Sequence, residues 1–267
     1  MTIPDVLLVR LVASFVAGFA IVTIVTALAD RFGEGPAGFV GGIPSTGPVG
    51  LLSIGLAQST TAAIQATTLF PLAFSVTFAF LLFYTIPERM KFQVRMPVAL
   101  ALWFLASVAV AIWGPDDFAL SLAVSIVVSL VVLFARSKVQ TRKIERVASE
   151  FNWLRMMLRG ALGGTVVVAV AILSLVSGPL VGGVFAAAPA IWSSSLYVTY
   201  RAQGIEFSRS LTKGFMQTAI LTVIPYAVAA RYFFSVFGIW LGTLLAYVVI
   251  APLAYLAWRL ANRKTAG

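Results

Sequence analysis

The sequence contains no cysteine and no histidine, and only nine aspartate and glutamate residues among its 267. Without cysteine there can be neither a disulfide framework nor a thiolate metal site. Without histidine the commonest general base and metal ligand is missing too, which leaves any catalysis or metal binding to carboxylates and hydroxyls. None of the nine acids is expected near the middle of an apolar stretch, where coupled carriers usually hold their proton or cation relays. No Asp-rich metal motif lies on a helix, so no metal, no cofactor and no enzymatic activity is expected, an intramembrane enzyme being the least favoured reading.

What is present is apolar. Hydrophobic residues make up 60% of the chain and charged residues 10%, with a mean hydropathy of +1.00. That balance belongs to an all-α polytopic transmembrane bundle. At roughly 20 apolar residues per crossing the chain has room for about nine helices, expected near 6–28, 37–57, 66–86, 97–113, 118–135, 158–177, 180–200, 213–230 and 232–258. The first stretch has no basic segment before it and is longer than a signal-peptide core, so it reads as a retained helix. The breaks are chemical: Asp30 to Pro36, Pro87 to Arg95, and Gly114-Pro115-Asp116-Asp117 all oppose helix in lipid. Residues 136–159 form the one long polar segment.

Charge sets the expected orientation, because basic loops are retained in the cytoplasm. With nine crossings, 17 of the 19 lysines and arginines fall on one side, and Arg10 and Arg231 on the other with Asp5, Asp116 and Asp117. This places the N-terminus outside and the C-terminus in the cytoplasm of a cell-membrane protein. The rival topology treats 37–57 and 180–200 as re-entrant loops, leaves seven crossings, and divides the basic residues 12 to 7. Trp113, Trp153 and Trp258 fall near expected interfaces. The basic balance, a net charge of +10, follows from topology and does not call for nucleic acid.

An internal repeat is also visible. Val40-Gly41-Gly42 with Pro48 recurs as Val181-Gly182-Gly183 with Pro189, an offset of 141; the same offset pairs Ser53 with Ser194, Ile64 with Ile205, Phe74 with Phe215 and Thr77 with Thr218. The chain then divides into a first membrane repeat (1–114), a connector helix with a basic cytoplasmic linker (115–157) and a second repeat (158–267). Four helices per repeat and one connector would insert the second copy upside down. Consistently, Gln58 to Thr68 carries no charge, whereas Thr199 to Arg209 carries Arg201, Glu206 and Arg209.

The second half resembles a known family through Gly182 and Gly183, Pro189, the stretch from Tyr200 to Arg209, and Ile224-Pro225-Tyr226. Residues 159–258 are similar to the GlpM-like small inner-membrane proteins, and 8–113 to a divergent copy without the charged loop or the Ile-Pro-Tyr element. The resemblance implies a four-helix unit, here duplicated, and a link to exopolysaccharide production; it implies no established biochemical activity.

Candidate substrate-lining residues follow from the broken, hydroxyl-rich segments: Gly41, Gly42, Ser45, Thr46, Pro48 and Ser53 in the first, and Gly182, Gly183, Pro189, Ser193, Ser194 and Ser195 in the second. Broken helices facing one another line sites in inverted-repeat carriers. The same glycines would also allow close helix packing, and the hydroxyls could bond to their own helix carbonyls. Arg201, Glu206, Arg209 and Lys213 form a charged cytoplasmic cluster whose i, i+3, i+7 spacing suits a local ion-pair ladder. A small inverted-repeat permease or exporter for a small solute or lipid-linked molecule is the leading reading. The alternative is a non-transporting accessory or assembly factor, linked to envelope polysaccharide production; expected partners are membrane lipids, with a homo-oligomer or membrane complex as further options.

The topology has a direct test in a chain free of cysteine. Asp116→Cys should react with a membrane-impermeant thiol reagent in intact cells and Lys143→Cys should react only after permeabilisation; equal labelling of both contradicts the orientation.

Overall fold

The computed structural model describes residues 3–31, 44–139 and 153–263, and among these every regular element is a helix. In chain order they are α1 (Ile3–Arg31), α2 (Thr46–Ala57), α3 (Thr60–Ala66), α4 (Phe70–Thr85), α5 (Phe92–Trp113), α6 (Phe118–Lys138), α7 (Trp153–Ser177), α8 (Pro179–Ala186) and α9 (Ala190–Arg263). Among the described residues five stretches are long and apolar enough to cross a membrane, and a sixth results if α3 and α4, bent by 46°, count as one broken span. The protein is thus a multi-pass helical membrane protein.

The last of these stretches, Pro179–Ala257, has 79 residues. At 1.5 Å per residue a straight helix of that length would reach about 118 Å, four times the hydrocarbon thickness. It is not straight. Gly204 (φ 82°, ψ 179°) and Gly238 (φ 74°, ψ 177°) leave helical geometry, in a region open to glycine almost alone. Each reverses the chain: the Ser208 hydroxyl donates to the Leu196 carbonyl at 2.8 Å, and the rings of Tyr226 and Tyr247 lie 5.5 Å apart, against about 30 Å in a straight helix. α9 is therefore three antiparallel segments, α9a (190–203), α9b (205–237) and α9c (239–263).

Contacts define two ends. At one, the basic end, Arg95, Arg136 and Arg209 meet residues that end or follow α4 and α6. At the other, the far end, Arg10 reaches Ala57, Gln58 reaches Ser174, Gly114 lies against Leu69, and Arg231 reaches Ile64 and Thr67. Hence α1, α4, α6, α9a and α9c run toward the basic end, and α5, α7 and α9b run away from it. α1 packs antiparallel on α7 through glycines, since a Cβ on Gly164 would stand 2.9 Å from Phe15 and one on Gly18 3.0 Å from Gly164.

Several boundaries differ from the sequence expectation for physical reasons. Of the expected 37–57 helix, 37–43 lies outside the described residues, and the described part is a 12-residue α2 that begins at Thr46. The 180–200 helix is two helices, interrupted at 187–189 ahead of Pro189. The expected turn near Arg231 is at Gly238 instead, and the expected polar loop between 200 and 213 is one glycine wide; a single residue in a glycine-only conformation reverses the chain without polar punctuation. α6, expected as a lone connector, packs on α4 through buried Ser121, Ser125 and Ser129, with Ser125 donating to the Pro71 carbonyl at 2.6 Å.

Candidate functional site

The start of α2 meets the break between α8 and α9. Halfway along the bundle a small cavity of about 20 Å³ has Pro44, Ser45 and Thr46 on one side and Ala187, Ala188 and Pro189 on the other, with Thr77 and Trp192 among its walls. That is room for about one water molecule. Among its lining residues none is charged.

The non-helical residues on both sides carry backbone groups that apolar surroundings would penalise, and the carbonyls of Ala187 and Pro44 each have a side-chain partner. The Thr77 hydroxyl, midway along α4, donates to the Ala187 carbonyl at 2.7 Å and accepts from the Trp103 indole at 3.0 Å. The Tyr247 hydroxyl, about 13 Å along α9c, donates to the Pro44 carbonyl at 3.0 Å. Trp192, one residue beyond the cavity's Ile191, sits in an aromatic cluster, stacked on Phe78 at 6.0 Å and Phe215 at 6.1 Å and edge-on to Phe74 at 5.4 Å.

α2 and α8 lie side by side and antiparallel because small residues permit it. A Cβ on Gly50 would stand 2.9 Å from the Ala186 Cβ, and one on Gly182 would stand 3.0 Å from Ile54. Gly183 abuts the backbone of Ala66, where any side chain would collide with the carbonyl.

The proposed lining residues separate accordingly. Ser45, Thr46 and Pro189 line the junction, and Pro48 is buried in the first turn of α2. Gly182 and Gly183 are packing positions; Gly41 and Gly42 lie outside the described residues. Ser53 and Ser194 bond back to Gly50 and Ile191 in their own helices, at 2.7 and 2.9 Å. Ser193 has a buried hydroxyl with no partner, and Ser195 is half-buried.

The charged cluster is reshaped. Glu206 pairs with Arg209 at 2.7 Å, while Lys213 and Arg201 are exposed. Arg209, only 2% exposed, turns inward: its Nε donates to the Thr85 carbonyl at 2.8 Å, and Glu88 lies 3.8 Å away. Sequence reasoning placed Arg95 and Arg136 in cytoplasmic turns, yet they are 0% and 1% exposed. Arg95 donates to the Tyr84 carbonyl at 3.1 Å and to that of Pro87. Arg136 donates to Thr212 at 2.9 Å and to the Arg209 carbonyl at 3.3 Å. Tyr84 with Ser208, and Thr85 with Thr212, each 2.8 Å apart, complete the knot. Its one signal in the sequence is the position of each arginine within a turn of an apolar stretch, which does not distinguish burial from anchoring.

The chain matches no family model, no curated protein and no solved structure.

Thr77 is the testable joint of this site. Thr77→Val leaves the Trp103 N–H and the Ala187 carbonyl without a partner in a buried place, at about 1–3 kcal/mol each. The expected result is a clear drop in the unfolding temperature of the purified protein, with Thr77→Ser retaining most of it; equal stability of Val and wild type would contradict the role.

Proposed function

We propose that the protein is a small permease of nine crossings, two inverted four-helix repeats around the connector α6, with the basic end in the cytoplasm. The observation that carries this reading is the meeting of the start of α2 with the break between α8 and α9, halfway along the bundle. The offset of 141 pairs residues 44–48 with 185–189, the segments on either side of the junction. Direction supports inversion: α1, α4 and α5 run opposite to α7, α9b and α9c, their counterparts at that offset. Phe74 and Phe215 both contact Trp192, and Ser53 and Ser194 make the same back-bond three residues upstream. In this reading each half is one GlpM-like unit.

Two near-equivalent packings of such halves differ by a modest free energy, and a solute shifts the balance by its differential affinity. Here the junction has room for about one water molecule. The arginine knot seals the basic end; Arg10 and Arg231, held on the ends of α2 and α3, flank the far end. Transport requires α2 and α8 to separate from α4 and α9, which frees Thr77, Tyr247 and the carbonyls of Pro44 and Ala187 to bind solute. Hydroxyls and carbonyls without a charged group suit a small, neutral, hydrogen-bonding solute, moved down its gradient.

A thermal-shift screen of purified protein against neutral solutes identifies ligands, since binding to the folded state raises its stability. Each hit then enters a proteoliposome flux assay with wild type and Thr46→Val. Flux above empty liposomes, reduced at least tenfold by the variant, is expected. Hits that bind without flux, together with stable co-purifying membrane partners, would overturn the permease in favour of an accessory factor.

A further inference from the structure

A second cavity lies apart from the junction, between α7 and α9a. It is open, has a volume of about 420 Å³, and is bounded by Leu158, Arg159 and Leu162 on one helix and by Ser194, Val198 and Arg201 on the other, with Tyr197 and Ala202 beside them. On α9a these residues recur every three or four positions, so one helical face looks into the groove. On α7 the same holds for Leu158 and Leu162.

The groove is ordered by polarity along its length. Arg159 lies near the start of α7 and Arg201 just before the turn at Gly204, so both guanidinium-bearing residues stand at the mouth, at the basic end. Leu162 and Val198 lie about one turn deeper, and Ser194 about two. No acidic residue lines the groove. The surrounding surface is apolar and open: Leu154, Met157, Leu158 and Tyr197 are 67%, 52%, 61% and 50% exposed, as side chains bathed by hydrocarbon would be.

We infer that this groove binds one anionic phospholipid of the leaflet at the basic end, its phosphate between Arg159 and Arg201 and an acyl chain along Leu158, Leu162 and Val198. Charge complementarity selects the headgroup: two planar guanidiniums favour a phosphate and disfavour a headgroup that carries its own compensating cation. The apolar trough selects an attached chain over a free phosphate ion. Position fits as well, because long basic side chains at helix ends keep their stems in the apolar layer and their heads at the phosphates. The site is distinct from the junction and does not depend on the permease reading.

The test uses the full-length protein in neutral detergent micelles, titrated with phosphatidylglycerol, phosphatidylcholine of the same chains, or glycerol phosphate. Unfolding temperature and the number of bound lipids, by native mass spectrometry, are read together. Wild type should bind one phosphatidylglycerol at least tenfold more tightly than phosphatidylcholine and gain several degrees, with no gain from glycerol phosphate. The Arg159→Gln/Arg201→Gln double variant should lose this preference, and Arg89→Gln, an exposed charge at the same end outside the groove, should keep it. Ala202→Trp, which fills the groove while retaining both arginines, should also lose the bound lipid; it carries the test if the double variant does not fold. Equal binding of the two lipids, an equal loss in Arg89→Gln, an unchanged Ala202→Trp, or stabilisation by glycerol phosphate alone would overturn the site.

Discussion

In a hydrocarbon layer a backbone carbonyl without a partner is a serious cost, and this protein creates more such carbonyls than a simple bundle would. Its short helices α2, α3 and α8 multiply the helix ends. The structure answers several of them with arginine side chains, some brought from far away in sequence. Arg10 caps α2 at Ala57 and Arg231 caps α3 at Ile64. Arg209 and Arg95 cap α4 at Thr85 and Tyr84, and Arg136 turns onto the Val139 carbonyl at the end of α6. A cation at a helix C-terminus also meets the negative end of its dipole, so one side chain serves two purposes.

This explains how arginines come to be buried beside so few acids. Burial of a charge normally demands an opposite charge or a full set of hydrogen bonds. Here carbonyls supply most of the acceptors, and Glu206 and Glu88 stand by Arg209. The far end solves the same problem with hydroxyls and a ring: Arg231 is held by Thr67 and Thr68 at 3.0 and 3.1 Å and sits over Phe118 at 4.7 Å. Both ends are thereby fastened, while the junction between them is held by the two hydroxyls of Thr77 and Tyr247.

The apolar stretches, the helical class and the importance of the glycine- and proline-rich segments around Pro48 and Pro189 were legible in the sequence, because proline, glycine and hydropathy act locally. So was the Glu206–Arg209 pair, which follows from i, i+3 spacing. The hairpins at Gly204 and Gly238 were not: a glycine in an apolar run reads the same whether it reverses the chain or lets a neighbour approach, as Gly50 and Gly183 do. Nor was the burial of Arg95, Arg136 and Arg209, since the groups that receive them come from other helices, more than 120 residues away in the case of Arg209 and Thr85. Thr77 was visible as half of a repeated pair with Thr218, but its role depends on Ala187, 110 residues on.

The central claim is that α2 lies against α8, with its start at the break between α8 and α9, and a cysteine-free chain permits a direct test. In the double variant Gly50→Cys/Ala186→Cys the two Cβ atoms start 2.9 Å apart, and a shift of about 1 Å reaches disulfide geometry. Mild oxidation in native membranes should join them in high yield, detected as loss of both free thiols. Gly50→Cys paired with exposed Ala101→Cys on α5 should not react. Failure of the first pair to close, or equal closure of both, would contradict the arrangement on which the account rests.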